Sequence, residues 1–385
     1  IAIPREVLPG ERRVAATPDT VRKMTAQGWK VLLQAGAGTG AHFADAEYAA
    51  AGAGIVTDLQ ALYDQADVVL KVKQPTKLPH TGQAETDLLH AGQTLVCFLH
   101  PGAPANHEMV RRLAALGVLS LTLDCVPRIS RAQRLDALTS MSTVAGYKSA
   151  LLAADRLEWF VPLIGTAIGA LPPATALVVG TGVAGLQAVA TFKRLGAVTQ
   201  AADIRAAAAE QAGSLGAKVV DLGIPAPVAV AEGGYAQALD ATWLAREREA
   251  LAPAVAAADM VILTALVPGR RAPMLLSADM VAAMKPGSVI VDVAVDQGGN
   301  CELTREGQET VVNGVVINGT PNLPGLMPVS STRLFAENVF HFLDMLLASG
   351  QPDTRDEVLA PCVVTRDGRI VHNGTLEEMK RSQNG

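Results

Sequence analysis

Cysteine is scarce in this chain. Only Cys97, Cys125, Cys301 and Cys362 occur among 385 residues, far apart and never as C-x-x-C. Such spacing argues against a disulfide framework or a zinc site and for a reducing compartment. Excess charge of one sign is missing as well: 32 Lys and Arg stand against 37 Asp and Glu, for a net charge of -5. With no basic stripe interleaved with aromatics, a nucleic acid partner is not expected. The N-terminus, Ile1-Ala-Ile-Pro-Arg-Glu, lacks the pattern of a signal peptide. Residues 159–192 lack any charged side chain, enough by length alone for a membrane helix. Pro162, Pro172 and Pro173 break that stretch, and its second half carries a glycine pattern of another kind, so no membrane span is expected.

That pattern is the most informative portion of the chain. An apolar run from Ala174 ends at Gly180, continues Thr-Gly182-Val183-Ala184-Gly185 into an apolar helix, and is followed by Val198-Thr-Gln-Ala-Ala-Asp203. Gly180 suits a tight turn, Gly182 lets backbone approach a pyrophosphate, and Gly185 lets the helix pack closely on the sheet. The helix N-terminus then faces the anion. Asp203, roughly twenty residues past the first glycine, is placed to accept hydrogen bonds from an adenosine ribose and to repel a 2′-phosphate, which favours NAD(H). Arg205 pulls the other way, since an arginine there is able to meet a 2′-phosphate; Asp203 precedes it and is taken as the more decisive group.

The length suggests two domains. Apolar runs alternate with helical patterns from Ile1 to Asp124, and a second βαβ series starts at Ala176 and repeats at Val198, Lys218, Met260, Ser288 and Val315. Thr17-Pro18 marks a helix start. Two long helical stretches, residues 141–161 and 331–349, read as crossovers. The expected architecture is α/β, with two Rossmann-like, doubly wound parallel-sheet domains and a cleft between them: residues 1–140 plus 321–385, and residues 141–320. Gly36-Ala-Gly38-Thr-Gly40 follows a strand but precedes no helix pattern, so it reads as a turn and not as a second nucleotide loop. The tail, residues 351–385, is polar and reads as partly loose.

A polar segment closes the first series: Arg128-Ile129-Ser130-Arg131-Ala-Gln133-Arg-Leu-Asp136-Ala-Leu-Thr139-Ser140. By composition alone it is either a solvated turn or a set of groups for the carboxamide and ribose of a nicotinamide. Together with Ala145-Gly-Tyr147, it resembles the Arg-Gln-Asp loop of the NAD(H)-binding component of proton-translocating NAD(P) transhydrogenase. The glycine turn, Gly233-Gly234-Tyr235, Thr264-Ala-Leu266-Val-Pro-Gly269, residues 284–292 and Gly298-Gly-Asn300-Cys-Glu302 resemble that family in the same order. Arg134-Leu135 departs from it.

The resemblance implies hydride exchange between NAD(H) on this chain and NADP(H) on a partner subunit, coupled to proton movement through a membrane subunit. It assigns Arg128, Gln133 and Asp136, with Ile129, Ser130, Arg131, Thr139 and Ser140, to the nicotinamide end. Val183, Ala184 and Gly185 go to the pyrophosphate, Asp203, Ile204 and Arg205 to the ribose, Leu266 to the pocket lining, and Gly234 to a mobile lid. It also implies a homodimer, docked on the cytoplasmic face of the inner membrane through membrane-bound partners. No metal is implied. Hydride passing between two nicotinamides needs no substrate proton, so orientation of two carbons roughly 3 to 3.5 Å apart carries the catalysis.

A rival stands in the same superfamily. Arg13, Lys73, His100 and Asp296 resemble positions that handle the amino acid in alanine dehydrogenase, where a histidine acts as general acid and base. A third alternative, a module that senses NAD(H) without catalysis, would lack the nicotinamide-directed loop.

Overall fold

The computed structural model describes residues 1–230, 236–267 and 271–384. The chain forms two compact units, Ile1–Met141 with Gly325–Gly385, and Ser142–Pro324.

The first unit is built on an eight-stranded sheet. From one edge its strands are Arg369–Ile370, Val363–Arg366, Leu119–Thr122, Thr94–Phe98, Val68–Lys73, Ala2–Ile3, Leu32–Gln34 and Gly54–Val56. The last six named pair in parallel. Thr94–Phe98 is buried at every position, as a strand covered on both faces must be. Helix Pro18–Ala26 starts as read from the sequence, with Thr17 as N-cap in a reciprocal capping box with Thr20 and proline in the first turn. The triple-glycine segment is a turn and a short 3-10 helix, Thr39–Ala41. A Cβ on Gly40 would lie 2.6 Å from the Arg12 carbonyl oxygen, so close packing explains that glycine.

The tail corrects the sequence reading. Residues 351–384 are not loose: Val363–Arg366 pairs antiparallel with Leu119–Thr122, and helix Asn373–Asn384 follows. Val358, Leu359, Cys362, Val363 and Val364 are buried there, and they anchor a segment whose average polarity had hidden them.

The second unit holds a seven-stranded sheet in the order Lys218–Val219, Val198–Ala202, Thr175–Val179, Met260–Leu263, Val289–Asp292, Val315–Asn318 and Glu309–Val312. All pairs are parallel except the last. The first strand in sequence lies between Val198–Ala202 and Met260–Leu263, so the order reverses at its carboxyl end, where open α/β sheets bind ligands. Along it, Ala176 and Val178 join one apolar cluster with Ala188, Val189 and Phe192, while Leu177 and Val179 join another with Leu251 and Val255. Burial on both faces accounts for much of the charge-free stretch. The stretch contains a hairpin, Ile164–Thr166 with Gly169–Leu171, then this strand and helix Val183–Arg194. Among the described residues, no helix is long and apolar enough to cross a membrane.

Candidate functional site

The glycine turn has the geometry its residues promise. Gly180 has φ of 89°, a conformation open mainly to glycine, and a Cβ there would stand 2.8 Å from the Ala265 amide nitrogen. A Cβ on Gly185 would lie 1.9 Å from the Gly180 carbonyl oxygen, so helix and turn meet backbone to backbone. Gly182 differs from both. Among the described residues, a Cβ there would meet nothing within 4 Å, so they leave the turn open on that side. Gly182 supplies no side-chain cap, and the first intrahelical bond runs from the Leu186 amide to the Gly182 carbonyl at 2.9 Å. The N–H groups of Val183, Ala184 and Gly185 therefore precede that bond, which is the usual provision for an anion.

Asp203 follows the neighbouring strand and is tied to the same turn. Its Oδ2 accepts from the Thr181 amide at 2.7 Å, and Arg205 donates to both carboxylate oxygens, through Nε at 3.0 Å and Nη2 at 2.8 Å. The Asp203 side chain is 4% exposed and that of Arg205 20%. Arg205 thus lies across Asp203, its charge already matched, which removes much of its attraction for a 2′-phosphate. Ile204, between them, packs against the apolar cluster under the sheet.

Two residues named from the sequence only within longer motifs, with no role at the site, shape the opposite wall. Fully buried Asn300 accepts from the Ala265 amide at 3.1 Å and donates to the Ala265 and Pro273 carbonyls at 2.9 and 2.8 Å. Buried Asp292 accepts from the amides of Asn300 and Cys301 at 2.8 and 3.1 Å. Burial pushes the Asp292 carboxyl up, against these hydrogen bonds. The arrangement fixes the strand exit that leads to Leu266, which is 37% exposed. Gly146 is a third residue read from the sequence only as part of a motif. In helix Ala137–Arg156, a Cβ on it would stand 2.0 Å from the Ala184 carbonyl oxygen, so that helix presses on the first turn of the glycine-rich helix. Gly233, Gly234, Tyr235 and Gly269 lie outside the described residues.

The polar segment of residues 128–140 belongs to the first unit. Ala132 and Leu135 are buried and anchor its 3-10 turn, Ser130–Leu135, while Asn338 holds the Arg134 carbonyl at 2.8 Å. Arg128, Ile129, Ser130, Arg131 and Gln133 are exposed. Arg131 pairs with Asp356 and, at 3.4 Å, with Glu357. Asp136 caps the following helix: its carboxylate accepts from the Thr139 amide at 2.8 Å and the Thr139 hydroxyl at 2.6 Å, and its carbonyl from the Ser140 amide at 3.3 Å. Its orientation is set by a helix start.

The four alanine dehydrogenase-like residues fall into different settings. Arg13 is buried and forked onto Glu11 at 2.8 and 2.5 Å. Lys73 ends a strand in which its neighbour Lys71 is the fully buried cation, paired with Glu85 at 2.7 Å and Glu6 at 3.5 Å. His100 has φ of 45°, stacks on Phe98, and its Nδ1 lies 2.7 Å from Asp124. Burial opposes charge on Asp124, yet His100 and hydrogen bonds from Thr122 and the His100 amide hold its carboxyl below the usual range. Asp296 is exposed in a 3-10 turn of the second unit. A nearby thiol is no nucleophile: Thr375 donates its amide to His372 Nδ1, so Nε2 bears the proton that faces Cys125 Sγ at 3.4 Å. Burial pushes that thiol up to about 12.

Comparison with known proteins agrees with this geometry. The family model described as "Alanine dehydrogenase/PNT, C-terminal domain" matches residues 149–373, and its N-terminal counterpart matches residues 2–145. The chain is 42% identical over 380 residues to an NAD(P) transhydrogenase alpha subunit chain of Rhodospirillum rubrum, covering 97% of each. It is 33% identical over 392 residues to alanine dehydrogenase of Halomonas elongata, covering 98% of this chain and 96% of that one. The crystal structure of transhydrogenase from Sinorhizobium meliloti superposes with a TM-score of 0.84 at 37% identity, over 96% of this chain and 99% of the other. The chain belongs to the alanine dehydrogenase/PNT family and, within it, stands with the transhydrogenase alpha subunits.

Proposed function

We propose that this chain binds NAD(H) on its second unit and exchanges hydride with NADP(H) held by a partner subunit, within a proton-translocating transhydrogenase. The observation that carries this reading is the open face at Gly182, set between the helix amides that precede the first intrahelical bond and the Asp203 that follows the next strand. The residues fit a dinucleotide: a compact anion meets no side chain at Gly182, and the neighbouring carboxylate is held in place before any ligand arrives. Val183, Ala184 and Gly185 would take the pyrophosphate, Asp203, Ile204 and Arg205 the adenosine ribose, and Leu266 the apolar side. Arg128, Gln133 and Asp136 would hold the nicotinamide end, with Ile129, Ser130, Arg131, Thr139 and Ser140 around them, and Gly234 would belong to a lid.

When bound, NAD(H) supplies the hydride acceptor or donor. The chain's own residues bind, orient and shield it from water, and none is required to move a proton at the reacting carbon. Partner subunits that carry NADP(H) and cross the membrane, and a cytoplasmic peripheral position reached through them, belong to the same proposal. So does a homodimer. The hairpin of residues 164–171 favours one: Ile168 at its tip is fully exposed, and Leu163 and Phe160 beside it are 61% and 55% exposed, an apolar surface a second copy would cover.

The experiment is hydride exchange between NADH and an NADP analogue, with and without the NADP(H)-binding partner, beside an assay with NAD and alanine. Partner-dependent exchange is expected, and Asp136→Asn, which keeps a capping side chain, should lower its rate about tenfold or more. An unchanged rate would remove Asp136 from the proposed site. Turnover with alanine alone would favour the second reading, for which the His100–Asp124 pair speaks.

A further inference from the structure

Helix Ala241–Ala257 precedes the parallel strand Met260–Leu263, so as a crossover it starts over the carboxyl ends of the strands. Its buried stripe is Glu247, Leu251 and Val255. Leu251 and Val255 pack with Leu177, Val179 and Ala202, the apolar underside of the strands that lead to Gly180 and Asp203. Glu247 stands one turn nearer those carboxyl ends, at a position where leucine would continue the stripe. It is 5% exposed, and among the described residues it makes no hydrogen bond. Loss of water around a carboxyl disfavours its charged form, so the ionisation of Glu247 responds to the charges near it.

The charged groups that act on Glu247 among the described residues are Asp203, which Arg205 bridges, and Arg248 on its own helix, whose Nε donates to the Met274 carbonyl at 2.7 Å. Because Arg205 matches Asp203, the ribose end carries little uncompensated charge while Glu247 is neutral. Ionised, Glu247 adds a full negative charge beside that pair.

We propose that Glu247 is a second specificity determinant of the adenosine end, neutral when NAD(H) alone must be accommodated and, as a carboxylate, a charge that turns away a 2′-phosphate. The inference rests on the NAD(H) reading above. Burial, with Asp203 adding to it, pushes the Glu247 carboxyl up to about 7, so the two forms exchange near neutrality.

The test is calorimetric binding of NADH and of NADPH to the full chain at pH 6 and pH 8.5, for the parent, Glu247→Gln and Glu247→Leu. The preference for NADH should grow between the two pH values about tenfold more in the parent than in either variant, the order expected for one buried charge added near a phosphate at an effective dielectric of about 20. Titration of the 2′-phosphate itself is common to all three proteins and cancels. The same pH dependence in parent and variants overturns the role of Glu247. Failure of every protein to bind NADH overturns the nucleotide reading, and the two failures are told apart by the NADH arm alone.

Discussion

Alanine at Gly182 and at Gly185 separates folding from ligand binding within one turn of backbone. At Gly185 the added methyl would sit 1.9 Å from the Gly180 carbonyl oxygen and 2.9 Å from its carbon. Ordinary contact needs about 1.6 Å more. Neither atom is the end of a flexible side chain, and the same oxygen accepts from the Thr264 hydroxyl at 2.7 Å, so turn and helix must separate. Overpacking of that kind costs about 3 kcal/mol or more, and the better helix propensity of alanine returns up to about 1. At Gly182 the methyl meets none of the described residues within 4 Å, and φ of -70° with ψ of -166° suits any residue. Stability there should hold or rise by about 0.5 kcal/mol. The expected pattern is Gly185→Ala destabilised by about 2–4 kcal/mol in urea unfolding followed by circular dichroism, and Gly182→Ala as stable as the parent but about a hundredfold weaker for NADH by calorimetry, because its methyl stands where the pyrophosphate would lie. Parental NADH affinity in Gly182→Ala would refute the placement of the anion, and parental stability in Gly185→Ala would refute the close approach.

Asp203→Asn strips the charge that matches Arg205, so NADH should bind about tenfold less tightly and NADPH correspondingly better; an unchanged preference in paired titrations would show that this pair does not select the nucleotide. Asn300→Ala removes three buried hydrogen bonds at the strand exit and should cost about 2–4 kcal/mol in urea unfolding, against which a loss under about 1 kcal/mol would count. Glu247 also makes a stability prediction. Its folded-state value near 7 lies above the ordinary 4.5, so the proton it retains favours the fold below about pH 4.5, and that contribution fades as pH rises through about 7. The gap in unfolding free energy between Glu247→Gln and the parent should therefore widen in favour of the variant by about 3 kcal/mol between pH 4.5 and pH 8, and a gap that stays constant would place the carboxyl in a less hostile environment.

What was legible in the sequence is what short-range geometry decides. Gly180, Gly182 and Gly185 belong to one strand, turn and helix start, and their roles follow from steps of two and three residues along a backbone whose tightest point, Gly180, glycine alone allows. Asp203 was legible for a related reason, since the strand it follows pairs residue by residue with the strand before the turn. Asn300 was visible as a motif but not as a clamp, because its partners Ala265 and Pro273 lie 35 and 27 residues away and meet it only in the folded sheet. Glu247 was hidden by its neighbours in the polar run Ala245-Arg-Glu-Arg-Glu, although its spacing of four and eight residues from Leu251 and Val255 was a signal that it faces inward. The tail failed by averaging: Val363 and Val364 are only two residues, yet one antiparallel pairing on Leu119–Thr122 brings both into the core. Asp136 shows the converse limit. A carboxylate three residues before a threonine fits a helix cap as well as a ligand site, and the structure gives it the cap. These uses are compatible, because a cap leaves a carboxylate in a single orientation with acceptor positions to spare, and a chemistry that depends on orientation is served by a side chain held in this way before any ligand arrives.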